Sequence, residues 1–291
     1  MSYKLQRKII ISAFLFVPLL FMAAFLFYPT VRMVFYSFTD WDGVLPTYHM
    51  VGFANFKRVF TEPLVWLSLK NNAVYALFGI AQNVVALFFA VMLTSRMRGK
   101  NVYKTIAFLP YILNITAVAY MFNFLFDYRN GPINDFMRYL AWSPIKFFSD
   151  EHLVIFSLAS ISMWKWLGYT MILYIAALQS MDSDMIEAAK IDGATNWQIF
   201  MKITLPNIRR IVELNMFLAI SGALQAFTEP LIMTHGGPNQ ASYTFLYYII
   251  QTYTTFNEYG FAAAMTCTLI LIIFVITFLQ RKILLRGNRT A

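Results

Sequence analysis

The chain has 291 residues, 59% of them hydrophobic and only 13% charged, about half the charged share of a soluble globular protein. That composition excludes a water-soluble enzyme and reads as an all-α membrane protein. The formal charge of +9 gathers into no basic stripe with interleaved aromatics outside the apolar runs, so no nucleic-acid partner is expected and membrane orientation accounts for the excess.

Lys4, Arg7 and Lys8 precede an uncharged run over residues 9–28, long enough to cross about 30 Å of hydrocarbon. The run is too long for a signal peptide and contains Pro18, so it is expected to stay as a first span. Residues 29–70 are mixed and are expected outside the hydrocarbon, with short interfacial helices at 55–60 and 64–69 and Trp41 and Trp66 as belt aromatics. Residues 71–95 give a second span. Arg96, Arg98, Lys100 and Lys104 form a compact basic loop. Residues 105–126 give a third span, bent near Pro110. Residues 127–151 are polar, with a short helix expected at 133–140. A fourth span over 153–181 is interrupted by Lys165. A fifth runs over 208–233, with Glu229 near its end, followed by the turn cluster His235-Gly236-Gly237-Pro238 and a loop to Tyr259. A sixth covers 260–280, and Arg281, Lys282, Arg286 and Arg289 make a basic tail. The expected division is 1–70 as first span plus outer segment, 71–285 as a five-span core, and 286–291 as tail.

Six spans place both termini on one side. Lys4, Arg7, Lys8, the 96–104 cluster, Lys190, Lys202, Arg209, Arg210 and the tail all fall there, against seven basic residues spread over the longer opposite loops. The positive-inside rule makes the richer side cytoplasmic.

The polar interval 182–206 lies on that side. Asp182, Ser183 and Asp184 are candidate N-caps, and 185–191 reads as a short helix ended by Asp192-Gly193, where glycine can take the left-handed conformation. Thr195 with Gln198 three residues on makes a capping box, and Pro206 suits the first turn of the next helix. The product is a helical elbow outside the hydrocarbon. Ala188 and Ala189 let another backbone approach one face, and Glu187 offers it a carboxylate.

Glu187-Ala188-Ala189, then Gly193, then Ile203-x-Leu205-Pro206, resembles the EAA loop of ABC importer permeases. Further pieces are similar to the maltose-type carbohydrate permeases over nearly the full length: Tyr28-Pro29, Leu109-Pro110, Gly131-Pro132-Ile133-Asn134, Trp166-Leu167-Gly168 and Thr234-His235-Gly236-Gly237-Pro238. The resemblance implies a type I importer permease fold in the bacterial cytoplasmic membrane. It implies a second homologous permease, two cassette ATPases and an extracytoplasmic sugar-binding protein as partners. ATP and Mg would be bound by the ATPases, since the chain has no phosphate loop and needs no cofactor of its own. The elbow residues Glu187, Ala188, Ala189, Gly193, Ile203, Leu205 and Pro206 would couple to an ATPase. Aligned without gaps from the elbow, the family's sugar-contacting positions fall on Trp164, Leu167, Gly168 and Met171 in the fourth span. In the fifth they fall on Ala219, Gly222, Ala223 and Ala226. Small residues stand there in place of the maltose-type phenylalanine and asparagine, which leaves three readings open: a wider passage, a cavity whose polar contacts come mainly from the other permease subunit, or helix-packing contacts.

The residues themselves leave the cargo open. Trp164, Trp166 and Tyr169 could stack on sugar rings, and Ser221, Gln225 and Thr228 could bond to hydroxyls, yet such residues are common in any membrane chain. Lys165, near the bilayer midplane, costs roughly 2.5–3.5 kcal/mol to insert. It either lines the translocation path or pairs with an acid such as Glu229, or else makes a structural pairing or snorkels toward the interface along a tilted helix. A carbohydrate, in particular an oligosaccharide, is the leading cargo. A glycerol-phosphate or polyol is the alternative, although phosphate would want convergent arginines. An ion-driven carrier would show corresponding broken helices with intramembrane carboxylates, and none is visible. An enzyme is not expected: HExxH, GxSxG and His/Asp clusters are absent. Cys267 is the sole cysteine, and His49, His152 and His235 are scattered, so no metal site is expected.

Overall fold

The computed structural model describes residues 3–94 and 99–285. Arg96, Arg98 and the tail 286–291 lie outside these. Among the described residues every regular element is helical, apart from one isolated antiparallel bridge between Thr39 and Met50. The structure divides into two compact units, Met1–Glu62 with Ile249–Leu271, and Pro63–Tyr248 with Ile272–Ala291.

In the first unit, α1 (Tyr3–Met22) continues through a π-turn (Ala23–Phe27) into α2 (Tyr28–Tyr36). The helix outruns the expected end at residue 28 because the π-turn shifts its register just before Pro29, with Tyr28 N–H donating to Ala23 O. None of the span over Ile10–Tyr36 is buried within the chain. The outer segment is knit by side chains. Asn55 Nδ2 donates to Ser37 O at 3.0 Å and Thr39 O at 2.7 Å. Arg58 of α3 (Ala54–Thr61) pairs with Glu258 at 2.8 Å and lies over the Phe261 ring. A Cβ on Gly260 would stand 2.0 Å from Thr39 O, so only glycine lets α14 (Tyr259–Leu285) start there. Asp40 accepts from the His49 backbone N–H at 2.6 Å, which holds its carboxyl below the usual carboxylate range.

In the second unit, α4 (Pro63–Thr94) is one helix of 32 residues. It absorbs the expected interfacial helix at 64–69 and starts the second span eight residues early. Asn71 and Asn72 do not interrupt it, because their side chains bond to other segments. Ala86 and Ala90, one turn apart and fully buried, bring α4 against α8 (Val154–Gln179), in a cluster with Met171, Tyr174 and Ile175.

The third span is two helices, α5 (Lys100–Ile112) and α6 (Ile115–Leu125), bent by 98°. The break is at Leu113–Asn114, not at Pro110, which stays inside α5. Leu113 is extended, and the Asn114 side chain accepts from Thr116 N–H at 2.8 Å to start the next helix. A second short helix, α7 (Pro132–Tyr139), falls where expected.

The fifth span is also broken. The elbow, described below, leads into α12 (Arg209–Leu224), whose 16 residues reach about 24 Å. The chain leaves the helix at Gln225, makes one turn at 228–229 and enters a π-turn (Pro230–Thr234). The expected continuous helix over 208–233 is therefore corrected. Its freed carbonyls are taken by distant side chains: Asn72 Nδ2 donates to Ala223 O at 2.5 Å and Thr244 Oγ1 to Ala226 O at 2.5 Å. The expected loop before Tyr259 contains α13 (Phe245–Thr254) instead. Among the described residues four helices are long and apolar enough to cross a membrane, or five if the bent pair counts as one; α12, with 16 residues, falls below that length.

Candidate coupling elbow and cavity

The elbow begins with α9 (Ser183–Ile191), capped by Asp182, whose side chain accepts from Asp184 N–H at 3.0 Å. It ends in a Schellman closure: Gly193 N–H donates to Lys190 O at 3.1 Å and Ala194 N–H to Ala189 O at 3.0 Å. Gly193 has φ +80°, and a Cβ added to it would meet nothing within 4 Å, so the backbone angle alone demands glycine. Thr195 and Gln198 form the capping box, with Gln198 Oε1 accepting from Thr195 N–H at 2.8 Å and Thr195 Oγ1 from Gln198 N–H at 3.3 Å. They start α10 (Asn196–Ile199), which passes through a π-turn (Phe200–Thr204) into the single turn α11 (Leu205–Asn207) carrying Pro206. Glu187, Ala188, Gly193 and Pro206 are exposed, and Ala189, Ile203 and Leu205 half-buried. Ile191 is 86% exposed and Trp197 69% exposed, two large apolar groups that no described part of the chain covers.

The second feature is a cavity of about 660 Å³ between α4, the α5–α6 break, α8 and α12. Each helix contributes one face. Tyr75, Phe78, Gly79 and Gln82 come from α4, Ser162, Lys165, Trp166 and Tyr169 from α8, and Asn215, Leu218, Ala219 and Gly222 from α12, each at i, i+3, i+4, i+7 spacing. One wall is aromatic: Tyr111 stacks on Tyr169 with centroids 4.8 Å apart, and Trp166 meets Tyr111 edge-on at 5.3 Å. The opposite wall is polar. Gln82 Nε2 donates to Thr170 Oγ1 at 2.8 Å. Tyr75 Oη and Asn215 Nδ2 are buried without a hydrogen-bond partner, the Asn215 amide lying near the Tyr174 hydroxyl but outside bonding geometry.

The site residues expected from the sequence separate on this geometry. Lys165, Ala219, Gly222, Ala223 and Ala226 line the cavity. Trp164, Leu167, Gly168 and Met171 do not. They sit two positions along from the lining set, a rotation of about 200° on a helix, and so face away from it. Trp164 meets Phe122 edge-on. Leu167 and Met171 pack in the α4–α8 cluster. Gly168 crosses α5 so closely that a Cβ would stand 1.9 Å from Ala107 O. The Lys165 ammonium donates to the carbonyls of Leu113 at 2.6 Å, Pro110 at 3.3 Å and Tyr111 at 3.4 Å. It thus caps the C-terminus of α5, where the helix dipole is negative. Glu229, beside Ser162, is close enough to feel its charge. Sequence reasoning missed Tyr75, Gln82, Tyr111 and Asn215. Their signal was polarity inside spans with few or no charges, which defaults to an interior site.

An exposed elbow beside a cavity set among long apolar helices is the arrangement of a membrane transport subunit. The chain belongs to the family described as "Binding-protein-dependent transport system inner membrane component", whose pattern matches residues 82–286. It is a membrane-embedded transport subunit and not an enzyme. It is 29% identical over 288 residues to "Probable ABC transporter permease protein YurN" of Bacillus subtilis (strain 168), covering 97% of this chain and 98% of that one. It is 30% identical over 277 residues to "Multiple sugar-binding transport system permease protein MsmF" of Streptococcus mutans, covering 93% of each. Its fold superposes with a TM-score of 0.86 on a chain of a bacterial ABC transporter involved in import of the acidic polysaccharide alginate, at 20% identity and 98% coverage of both chains.

Proposed function

We propose that this chain is the membrane permease subunit of an ATP-driven importer for a carbohydrate, an oligosaccharide, in the bacterial cytoplasmic membrane. In this reading both termini and the elbow face the cytoplasm. Glu187, Ala188, Ala189 and Gly193, with Ile203, Leu205 and Pro206, form the coupling element that docks on an ATPase subunit. The partners are a second homologous permease, two ATPases that bind ATP and Mg, and an extracytoplasmic sugar-binding protein. The relatives' names support the cargo class: besides the multiple-sugar permease, they include permeases for lactose, starch degradation products and diacetylchitobiose.

The observation that carries the coupling role is the exposure of Glu187, Ala188, Ile191 and Trp197 together on one capped elbow. Anchoring large apolar groups in a partner's groove is how such faces are covered. For the cargo it is the cavity's make-up, an aromatic shelf facing neutral amides and hydroxyls, which suits sugar rings and their hydroxyls. A phosphate-bearing cargo fits less well, because the only basic side chain among the described residues lining the cavity, Lys165, is spent on three carbonyls.

Reconstitution with the partner subunits tests the proposal. Uptake of a neutral oligosaccharide should require ATP and the binding protein. Uptake driven by an ion gradient without ATP would assign the chain to secondary carriers instead.

A further inference from the structure

The cavity carries two ionisable side chains of opposite sign, and the structure uses them differently. Lys165 has three N–H groups, and the carbonyls of Pro110, Tyr111 and Leu113 take all three. Its ammonium has no proton left for a ligand, and much of its charge is answered by the negative end of α5. Glu229 is different. It is 6% exposed, lines the cavity and lies beside Ser162. A carboxylate offers about four acceptor positions, so Glu229 keeps lone pairs open. Beside it Tyr75 Oη, more than nine-tenths buried, has no partner. A buried polar atom left unmatched is destabilising, so these two groups are poised for a ligand that supplies hydroxyls.

We propose that Glu229 selects cargo by charge: with Tyr75 it forms a subsite that takes a neutral or amino-bearing saccharide and disfavours one carrying carboxylates or phosphates. The inference rests on the carbohydrate reading and narrows it. Sugar hydroxyls donate to the open carboxylate oxygens, while the phenol answers ring and hydroxyl oxygens. An amino group would gain further from the carboxylate. A uronate would set a second carboxylate against Glu229 in a site with little water to screen it. The fold is shared with a chain of an alginate importer, so the fold does not decide this selectivity and the lining does.

The test reads the cavity's potential without needing the cargo. Gly222 lines the cavity and a Cβ there meets nothing within 4 Å, so Gly222→Cys in a Cys267→Ser background gives a thiol in open space. In the assembled importer, its modification rates are compared for a trimethylammonium thiosulfonate and a sulfonate thiosulfonate. The cationic reagent should react faster, and Glu229→Gln should lower the cation-to-anion ratio by about tenfold, as expected for removing one charge at this range. Glu229→Asp should keep most of the ratio. An unchanged ratio in Glu229→Gln overturns the proposal. If Glu229→Gln does not assemble, the parent ratio decides: equal rates, or a faster anion, overturn it. Uptake of a neutral tetrasaccharide and of an oligouronate by the unmodified importer forms the second arm. A charge-dependent ratio with no saccharide uptake would sink the carbohydrate reading alone, and preferential uptake of the uronate would sink the charge selection alone.

Discussion

Gly168→Ala separates packing from cargo contact at a position where the gapless alignment suggested a substrate role. The new methyl carbon would stand 1.9 Å from Ala107 O, 2.5 Å from Ala107 C and 2.7 Å from Phe108 Cα. All three are backbone atoms of α5, so no side chain can swing aside. Bringing the oxygen even to 3.0 Å needs α5 to retreat by about 1.1 Å. The retreat also strains the Lys165 bonds to the end of the same helix. Overpacking of this kind costs roughly 1–3 kcal/mol. At about 2–4 °C per kcal/mol for a chain of this size class, the melting temperature should fall by roughly 2–12 °C. The assay is thermal unfolding of the purified complex in detergent, followed by tryptophan fluorescence. Gly222→Ala is the control, because nothing lies within 4 Å of its Cβ position, and it should melt with the parent. Equal melting temperatures for Gly168→Ala and Gly222→Ala would refute the helix-crossing argument.

Other outcomes follow from the same geometry. Lys165→Met leaves three carbonyls at the α5 terminus without their charged donor and Glu229 without its nearby cation. Thermal unfolding should show a loss of about 3 kcal/mol or more, with Lys165→Arg keeping part of it; an unperturbed melt would mean the carbonyls find other donors. Gly193→Asp forces an ordinary side chain to φ +80° and should abolish uptake while leaving the chain in the membrane, as read by transport and membrane fractionation; normal uptake would remove the elbow from the mechanism. Asp40, with its carboxyl held below the ordinary range by the His49 N–H, keeps that bond above the unfolded value and loses it as pH falls through the lowered folded value. The protection of the His49 amide from hydrogen exchange, relative to its intrinsic rate at each pH, should therefore persist through the ordinary aspartate range and fall only in stronger acid.

The elbow was legible because its signals are local. Asp182, Gly193 and the Thr195–Gln198 pair each fix the backbone within five residues of themselves, and the structure has each cap where the sequence placed it. The span boundaries were less legible because membrane helices extend past their apolar runs. Pro63 starts α4 well before the charge-free stretch begins. The two breaks were the least legible. Pro110 drew attention to the wrong position, since α5 keeps the proline in its last turn and ends only at Ile112, where Lys165, 55 residues from Pro110, takes the terminal carbonyls that the helix end leaves open. The break at Gln225 has no proline or glycine at all, and depends on Asn72 and Thr244 reaching across to carbonyls at Ala223 and Ala226. The cavity went half-read for a related reason. On α12 the expected residues line the cavity; on α8 the expected set, offset by two residues from the lining, lies on the other side of the helix.

The most direct measurement concerns the elbow. Ala188→Cys, in a Cys267→Ser background, is placed in the assembled importer and probed with a short thiol crosslinker and with a membrane-impermeant thiol label added from outside. The account predicts a crosslink to the ATPase subunit whose yield changes on adding ATP, and no external labelling in sealed cells. External labelling, or an elbow cysteine that never reaches the ATPase, would contradict it.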